Sequence, residues 1–414
     1  MQRLRKYIAV ADALEVLETR SRLRLRVETV DPRSAYGRVL AEDVVATKDV
    51  PANDTSLMDG YAVRTADLAM ARRGWPVWLN VRGETRLGDT REARLESGEA
   101  LIVSTGSSLP AGSDSVLKVE DARRRSRKVG TTKTLDAWQN VYRAGADLRR
   151  GDLILPKCKV LKAQDAGMLI QLGVKSVSVF RRPKVGLLAT GSELTDSPRP
   201  VPGKVVESHG PIFSRILVEL GCEPVHLGIV PDDTQRLSVA LTGALRRSDV
   251  VLMMGGTSMG VRDLGELAIM KLRPDAIFHG LMLDRGRVTG GAVVDGRPVI
   301  MMPGPIQAAM NCFLVLALPL ISKLLGGAKL VTKLPVRLSG DWEARESYRR
   351  FTKVAYLRVS GNGSSISAEP MVAETESMSL LTASNAFAIV PQEVAKLKEG
   401  QVVEAVLLPG FSSV

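Results

Sequence analysis

Three runs in the middle of the chain predict β-strands, and the third is apolar without alternation from Val250 to Met254. They read KVGLLAT from residue 184, EPVHLGIV from residue 223 and DVVLMMGG from residue 249. Each is followed by a segment with helical spacing of apolar residues: PIFSRILVELG, TQRLSVALTGAL and LGELAIMKL. Strands that are apolar on both faces and alternate with helices predict a parallel sheet covered by helices on both sides. We therefore expect a central three-layer α/β/α domain.

Other patterns predict the flanking regions. The first residues fit an amphipathic helix through Ile8, Leu14 and Leu17, which argues against a signal peptide. The apolar run from Cys312 to Leu325 is too short to span a membrane and contains Pro319, so it predicts a buried helix.

Short alternating segments predict two β-rich regions. One extends from Val77 to about Lys133, and the other follows Gly327 and resembles a small barrel or sandwich. Between them, AQDAGMLIQLG predicts a helix that is closed by Gly173.

Charge and composition narrow the class of ligand. The 414 residues carry a net charge of +12, which suits an anionic partner, but only 4% are aromatic. Nucleic-acid surfaces need aromatic stacking platforms, so a phosphorylated small molecule is favoured over nucleic acid. The basic run from Arg123 to Lys128 predicts an exposed hairpin turn. The three Cys and three His are isolated, which indicates a reducing cytoplasm and no zinc site.

Loops that follow the predicted strands carry the residues suited to chemistry. They are Thr190 to Glu193, the pair Asp232 and Asp233, and the glycine loop that ends on Asp263. The carboxyl ends of parallel strands meet at one edge of a sheet, where ligands bind in such folds. Backbone N–H groups freed by glycine bind anions, and carboxylates bind hard cations. We therefore expect a phosphate site with a metal ion at this edge.

Four motifs in order resemble the molybdopterin molybdenumtransferase family (MoeA and the gephyrin E domain) over nearly the whole chain. They are PANDTSLMDGYAV at 51–63, VSTGSSLPAGSDSVLKVED at 103–121, RRPKVGLLATGSEL at 181–194 and GGTSMGVRD at 255–263.

The resemblance implies a subunit of four domains. They are a linker and dimerisation domain (1–45 plus 141–178), an inserted β-rich domain (46–140), the molybdopterin-binding-like α/β domain (179–328) and a C-terminal β-barrel (329–414).

The resemblance also implies the reaction. It is a Mg²⁺-dependent insertion of molybdate into adenylylated molybdopterin with release of AMP. The family works as a cytoplasmic homodimer, with its site between the α/β domain of one subunit and the MDGYA region of the other. The adenylyltransferase of the same pathway is a candidate partner, and neither a membrane nor nucleic acid is expected.

Site residues follow by matching motifs. The expected catalytic residues are Asp59, Thr105, Asp147, Glu193, Asp233 and Asp263. Glu193 and Asp263 are the expected Mg²⁺ ligands. The expected substrate-binding residues are Thr190, Gly191, Ser192, Gly255, Gly256, Thr257, Ser258, Gly260, Arg285, Arg287, Pro303 and Gly304.

The chain departs from the family in four places: Ala146 stands where the family has Glu, His209 where it has Asn, and two whole segments differ. Residues 284–288 read DRGRV where the family has KPGKP, and residues 302–306 read MPGPI where it has LPGNP. Arg285 and Arg287 remain able to bind an oxyanion, although Arg and Lys are not equivalent. The departures leave two alternatives open: a member that uses tungstate, and a relative that binds pterin or nucleotide, or acts as a scaffold, without transferase activity.

Overall fold

A computed structural model describes residues 7–88, 93–199, 201–256, 263–362, 365–372 and 377–407. The chain forms two compact units. The first consists of Met1–Glu42, Lys157–Ile170 and Val174–Val414, and the second of Asp43–Pro156 and Gln171–Gly173. The four-domain division stays a prediction.

A six-stranded sheet forms the centre of the first unit. Its strands are β1 (Lys184–Thr190), β2 (Glu223–Val230), β3 (Val250–Met254), β4 (Ala276–His279), β5 (Gly290–Val294) and β6 (Arg297–Met302). Their order is β2-β1-β3-β6-β5-β4, in which β2, β1, β3 and β6 are parallel and β5 is antiparallel to both its neighbours. The sheet is therefore parallel where the sequence predicts it, with a hairpin added at one edge.

Helices cover both faces of this sheet. They are α1 (His209–Glu219), α2 (Thr234–Arg247), α3 (Leu264–Met270) and α4 (Ile306–Leu324). One core cluster joins α1 and α4 to residues such as Leu187 of β1, while a second joins α2 and α3 to the adjacent Leu188. Because successive strand residues point to opposite faces, the middle of β1, residues 185–189, must be apolar. The three-layer prediction is confirmed.

The α4 helix differs in extent from the predicted buried helix. It begins at Ile306, six residues before the predicted start, and 78% of its most apolar stretch is buried inside the protein. Residues Phe313–Ala317 are π-helical, directly ahead of Pro319. A change of hydrogen-bond pattern here accommodates a residue that has no N–H to donate, so the proline lies within the helix and does not end it.

The C-terminal region is a closed barrel, which confirms the predicted β-barrel. Its strands, in spatial order, are Thr332–Leu338, Ser365–Met371, Lys353–Asn362, Ala386–Val390 and Val402–Leu407. The helix Met378–Ala383 and the short pair Trp342–Glu343 and Lys396–Leu397 complete it.

The second unit is built on another six-stranded sheet. Its strands, in spatial order, are Ser115–Lys118, Gly60–Val63, Glu99–Val103, Val77–Thr85, Lys128–Thr131 and Arg123–Arg125. The strands Arg123–Arg125 and Lys128–Thr131 pair as a hairpin, so the basic run forms the exposed turn that the sequence predicts. Two small antiparallel pairs accompany the sheet: Val44–Val45 with Leu153–Leu155, and Thr55–Ser56 with Val141–Tyr142.

The remaining elements of the first unit are short. The N-terminal helix is Val10–Arg20, a second helix is Ala163–Gln171, and the strands Val27–Val30 and Val177–Phe180 pair antiparallel. Leu194–Thr195 pairs in parallel with Val205–Val206. Short 3-10 helices lie at Pro32–Ser34 and Glu346–Tyr348 in this unit, and at Thr65–Leu68 and Val119–Asp121 in the second unit.

Candidate functional site

The loops after the parallel strands come together at the carboxyl edge of the central sheet. The N–H of Gly191, after β1, donates to the carbonyl of Val230 at 3.1 Å. The N–H of Gly255, after β3, donates to the carbonyl of Met302 at the end of β6, also at 3.1 Å. Backbone bonds thus join the ends of β1 to β2 and of β3 to β6, and the predicted convergence of these loops is found.

Thr190 lies against the glycine pair. Gly255 has a φ of +91°, and a Cβ there would lie 2.4 Å from the carbonyl oxygen of Thr190. Gly256 has a φ of +67°, and its Cβ would lie 2.7 Å from the Thr190 methyl group. No other residue type tolerates this approach at Gly255 without a backbone shift. The predicted ligands Thr257, Ser258 and Gly260 lie outside the described residues.

The hydroxyl of Thr190 is buried, and the residue is only 1% exposed. Its Oγ1 has no hydrogen-bond partner among the residues that the structure describes. Buried polar atoms in proteins are normally paired, so an orphan hydroxyl at a strand end marks a position for a ligand oxygen.

The loop after β1 is tied to the loop after β2. The N–H of Ser192 donates to Oδ2 of Asp232 at 3.1 Å, and the N–H of Asp232 donates to Oγ of Ser192 at 3.0 Å. Asp233, for which the sequence predicts a catalytic role, is exposed and accepts a hydrogen bond from the N–H of Arg236 at 2.7 Å. Asp232 therefore links the loops, while Asp233 caps α2.

Glu193 presents an exposed carboxylate over Gly191, in the loop after β1. A Cβ on Gly191 would lie 2.6 Å from Oε1 of Glu193, so this carboxylate lies over Gly191. Lys204 donates to the neighbouring carbonyl of Ser192 at 2.6 Å. An exposed carboxylate at this position is free to approach a bound cation.

Asp263 occupies a different kind of position. It begins α3, where its Oδ1 accepts a hydrogen bond from the N–H of Glu266 at 2.9 Å. Its Oδ2 lies 3.2 Å from Nε2 of His279, whose Nδ1 lies 3.0 Å from Oε2 of Glu266. His279, which the sequence indicates only as an isolated structural residue, holds two carboxylates in place.

The segment 284–288 lies beside the start of α4. Nη1 of Arg285 donates to Oε1 of Gln307 at 2.9 Å, which brings Arg285 close to the loop that contains Pro303 and Gly304. The exposed Arg287 stacks over the ring of Tyr348, 5.0 Å from its centroid. Arg285 and the 303–304 loop are thus brought together, while Arg287 contacts the barrel.

Asp284 is turned into the protein. Burial raises the pKa of its carboxyl group, against the opposing charges of Arg285, Arg345 and Lys353. Its backbone carbonyl accepts a hydrogen bond from Nδ2 of Asn311 at 3.0 Å. The hydroxyl of Tyr356 donates to Oδ1 of the same asparagine at 2.6 Å, and this joins the barrel to α4 and to the 284–288 segment.

His209 stands at the start of α1, next to Gly304. Burial lowers the pKa of its ring, although the charge of Glu207 and a hydrogen bond to the Gly304 backbone oppose this. A cavity of about 580 Å³ opens nearby, lined by residues that include Ala189, Thr195, Glu207, Gly210, Ile229 and Met254. A cavity of about 1090 Å³ lies elsewhere, between α4 and the barrel, and its lining is mostly apolar.

The second unit holds the other predicted residues. The N–H and the hydroxyl of Thr105 both donate to Oδ1 of Asp59, at 2.7 and 3.1 Å. Asp147 is exposed, and its N–H donates to the carbonyl of Val50 at 3.0 Å. The structure therefore brings Asp59 and Thr105 together as a surface pair.

The donors at the strand ends suit Mg²⁺ only in part. No group of three His, Cys, Asp or Glu side chains able to hold a metal occurs among the described residues. Mg²⁺ commonly takes one or two carboxylates and completes its shell with phosphate and water oxygens. Glu193 fits that pattern, whereas both oxygens of Asp263 already have partners in the protein.

Burial raises the pKa of Cys222 and Cys312 to about 12, so neither thiol serves as a nucleophile.

Comparisons with known proteins agree with the motifs. The family model of the MoeA N-terminal region (domain I and II) matches residues 8–173, and that of a probable molybdopterin binding domain matches residues 186–323. The chain is 30% identical to the molybdopterin molybdenumtransferase of Nostoc sp., covering 79% of this chain and 76% of the relative. It is 28% identical to that of Bacillus subtilis, covering 92% and 90%.

A solved structure extends the likeness to the fold. The molybdopterin biosynthesis MoeA protein from Pyrococcus horikoshii OT3 aligns with a TM-score of 0.83 at 28% identity, covering 97% of this chain and all of that one. The resemblance seen in the four motifs is confirmed.

Proposed function

The chain belongs to the molybdopterin molybdenumtransferase family, and we propose that it inserts molybdate into adenylylated molybdopterin with release of AMP. The observation that carries the proposal is the buried Thr190 hydroxyl, which has no hydrogen-bond partner among the described residues and lies beside the Gly255–Gly256 turn. A hydroxyl and freed backbone N–H groups supply donors to phosphate oxygens at the sheet edge where α/β folds bind ligands.

Each residue of the strand-end site has a role in this proposal. Thr190, Gly255 and Gly256 bind the phosphate that AMP carries away. Arg285, near Pro303 and Gly304, binds the molybdate oxyanion through its guanidinium. Glu193 would hold Mg²⁺, and Asp263 would anchor the start of α3 next to the glycine loop. The ion would supply neutralisation of the charge on the departing phosphate.

Other expected residues act around this centre. Gly191 and Ser192 shape the loop that places Glu193, and Asp233 fixes the start of α2 next to that loop. Arg287 supplies a second cation in the 284–288 segment. Asp59, Thr105 and Asp147, in the second unit, are proposed as catalytic residues from the motifs alone.

Replacing Thr190 by Val separates ligand binding from folding. The hydroxyl has no described partner, so its removal costs no hydrogen bond within the described protein and the melting temperature should stay unchanged. We expect AMP release from adenylylated molybdopterin to fall about tenfold or more in kcat/KM. Thr85→Val is the matched control, because Thr85 Oγ1 is also buried without a described partner but lies in the second unit. Equal activity of both variants would refute the role of Thr190.

The proposed Mg²⁺ requirement is tested at Glu193. Glu193→Gln keeps the size of this exposed side chain and removes its charge. We expect the Mg²⁺ concentration for half-maximal AMP release to rise about tenfold or more. Glu15→Gln, on the exposed side of the N-terminal helix, should leave it unchanged. An identical Mg²⁺ dependence for both variants would remove Glu193 from the metal site.

A second function is favoured by Asp284. Here a buried carboxyl group stands where the family has Lys, and Oδ1 of Asp284 has no hydrogen-bond partner among the described residues. A protein that binds the pterin or its nucleotide as a carrier or scaffold fits this change. Binding of adenylylated molybdopterin without release of AMP, with either molybdate or tungstate, would identify that function.

We also propose that the chain works in the cytoplasm as a homodimer, with the adenylyltransferase of the same pathway as a partner. Light scattering should then give twice the chain mass of 44.7 kDa. A monomer would contradict the proposed dimer while leaving the strand-end site intact.

A further inference from the structure

A groove rich in arginine lies at the opposite edge of the central sheet from the candidate site. Two adjoining cavities of about 490 and 250 Å³ share Arg26, Asp249 and Arg297 in their linings. Lys184 begins β1, Glu223 begins β2 and Arg297 begins β6, so the groove lies at the amino ends of the strands. Along β1 this is roughly 20 Å from Thr190, at about 3.3 Å per residue.

The charges of the groove are strongly unequal. Eight Lys and Arg residues line the two cavities against three acidic residues. Two of the acids already have partners: Oδ2 of Asp249 accepts from the N–H of Lys184 at 2.8 Å, and Glu223 lies 3.0 Å from the Lys184 ammonium. The third, Asp295, is exposed in the turn between β5 and β6.

Six exposed arginines of the groove make no ion pair with any residue that the structure describes. They are Arg22, Arg24, Arg26, Arg181, Arg246 and Arg247. Arg246 and Arg247 lie in the last turn of α2, where the helix dipole favours cations. The helix dipole therefore accounts for the position of two of the six arginines, and the positions of the other four need another explanation.

Arg26 and Arg181 face each other directly. The N–H of Arg181 donates to the carbonyl of Arg26 at 2.7 Å, which continues the antiparallel pairing of Val27 with Phe180. Opposite residues of an antiparallel pair place their side chains on the same face, where like charges repel. An anion between the two guanidinium groups turns this repulsion into attraction.

The Arg22 side chain is also held at the groove. Its N–H donates to the carbonyl of Gly296 at 2.7 Å, and its aliphatic stem lies over that glycine, where a Cβ would be 2.8 Å from Cγ. Arginines from four separate parts of the first unit are thus directed to one groove by backbone bonds and packing.

We propose that this groove binds a small molecule that carries two or more linked phosphate groups. The recessed volume suits a small ligand, and several guanidinium groups match several phosphate oxygens. The site is separate from the strand-end site and does not depend on the transferase activity. Nucleic acid presents the same phosphates but needs an extended surface, and the test below distinguishes the two.

The probe is inorganic tripolyphosphate, titrated calorimetrically into the full chain at low salt. Arg26→Gln with Arg181→Gln removes the facing pair, and Arg123→Gln with Arg124→Gln is the control of equal charge on the exposed hairpin of the second unit. We expect the groove variant to bind tripolyphosphate at least tenfold more weakly than the unaltered chain. The affinity of the control variant should differ from that of the unaltered chain by less than twofold. The groove variant should also melt at a higher temperature without ligand, because the repulsion is removed.

Three results overturn the proposal. The first is that the unaltered chain does not bind tripolyphosphate. The second is an equal loss of tripolyphosphate affinity in the groove variant and in the control, which would mean that binding depends only on the overall positive charge. The third is tighter binding of a single-stranded oligonucleotide with the same dependence on Arg26 and Arg181, which would assign the groove to nucleic acid. Thr190→Val serves as a further control, because it alters the strand-end site alone.

Discussion

The ring of His279 lies 3.2 Å from the carboxylate of Asp263, and both side chains are buried. The same ring reaches Glu266 through its other nitrogen at 3.0 Å. The end of β4 is thereby joined to the start of α3, directly after the glycine loop. This arrangement fixes the carboxylate that the motifs mark as functional.

Replacing His279 by Leu should destabilise the protein. The change removes the imidazole that contacts Oδ2 of the buried Asp263 carboxylate, and loss of one member of a buried pair costs about 3 kcal/mol. Chemical unfolding in urea measures the loss. His226→Leu is the control, because His226 is exposed and, among the described residues, its ring is hydrogen-bonded to Ser214 Oγ at 3.1 Å. It should change stability by less than about 0.5 kcal/mol. Similar losses for the two variants would contradict the role of His279.

Replacing Gly255 by Ala should disturb the glycine turn that follows β3. The added Cβ would meet the Thr190 carbonyl at 2.4 Å in a backbone with a φ of +91°. We expect a loss of about 2 kcal/mol or more in the free energy of unfolding, together with loss of AMP release. Gly243→Ala, in the middle of α2 with open space around it, should instead gain about 0.5–1 kcal/mol. A neutral effect at Gly255 would show that this loop has another conformation.

Replacing Asp165 by Asn should make the free energy of unfolding less dependent on pH in the acidic range. Burial acts to raise the pKa of Asp165, but the hydrogen bonds and charges of Lys159 and Lys162 outweigh it and lower the pKa below 3.8. The stabilisation is therefore complete above pH 3.8 and is lost as the pH falls through the lowered pKa. We expect the variant to be about 1 kcal/mol less stable at pH 6. The difference from the unaltered chain should close near pH 2, about two units below the ordinary Asp pKa.

The measurement is urea unfolding at both pH values. Asp136→Asn provides the comparison, since Asp136 is exposed. A loss at Asp165 that stays constant between the two pH values would mean that the ion pair with Lys159 does not cause it.

Replacing Asp284 by Asn should stabilise the protein at neutral pH, in contrast to the replacement of Asp165. Burial raises the pKa of this carboxyl group above 3.8, so its ionised form opposes folding at neutral pH. The neutral amide should raise stability at pH 7 by about 1 kcal/mol, and the gain should shrink as the pH falls through the raised pKa toward 3.8. Thermal unfolding across this range measures the change. A loss of stability at pH 7 would show that Arg285, Arg345 and Lys353 need the negative charge.

The sequence predicts the central sheet well because its strands carry a strong local signal. β1 and β3 are apolar on both faces, and the turn that follows β3 consists of glycines. The start of α4 at Ile306 is not predictable in this way, because its first turns contain the polar residues Gln307 and Asn311, which are buried through tertiary contacts. The local pattern of apolar and polar residues does not predict which polar side chains are buried by tertiary contacts.

The site is predicted less completely than the fold. The strand-end loops meet as expected, because topology alone brings them together. His279 is missed because its partners lie 13 and 16 positions earlier along the chain and meet it only in the folded protein. The capping role of Asp233 and the burial of Asp284 are likewise set by tertiary contacts.

The chain Tyr356–Asn311–Asp284 has a consequence for how such proteins diverge. A barrel residue, a helix residue and the segment that departs from the family are joined by two hydrogen bonds of 2.6 and 3.0 Å. A substitution at Tyr356 would leave a buried amide oxygen without this donor, and such a loss is costly. The barrel and the 284–288 segment are therefore expected to evolve as one unit, so that transplanting either into a relative would require the other.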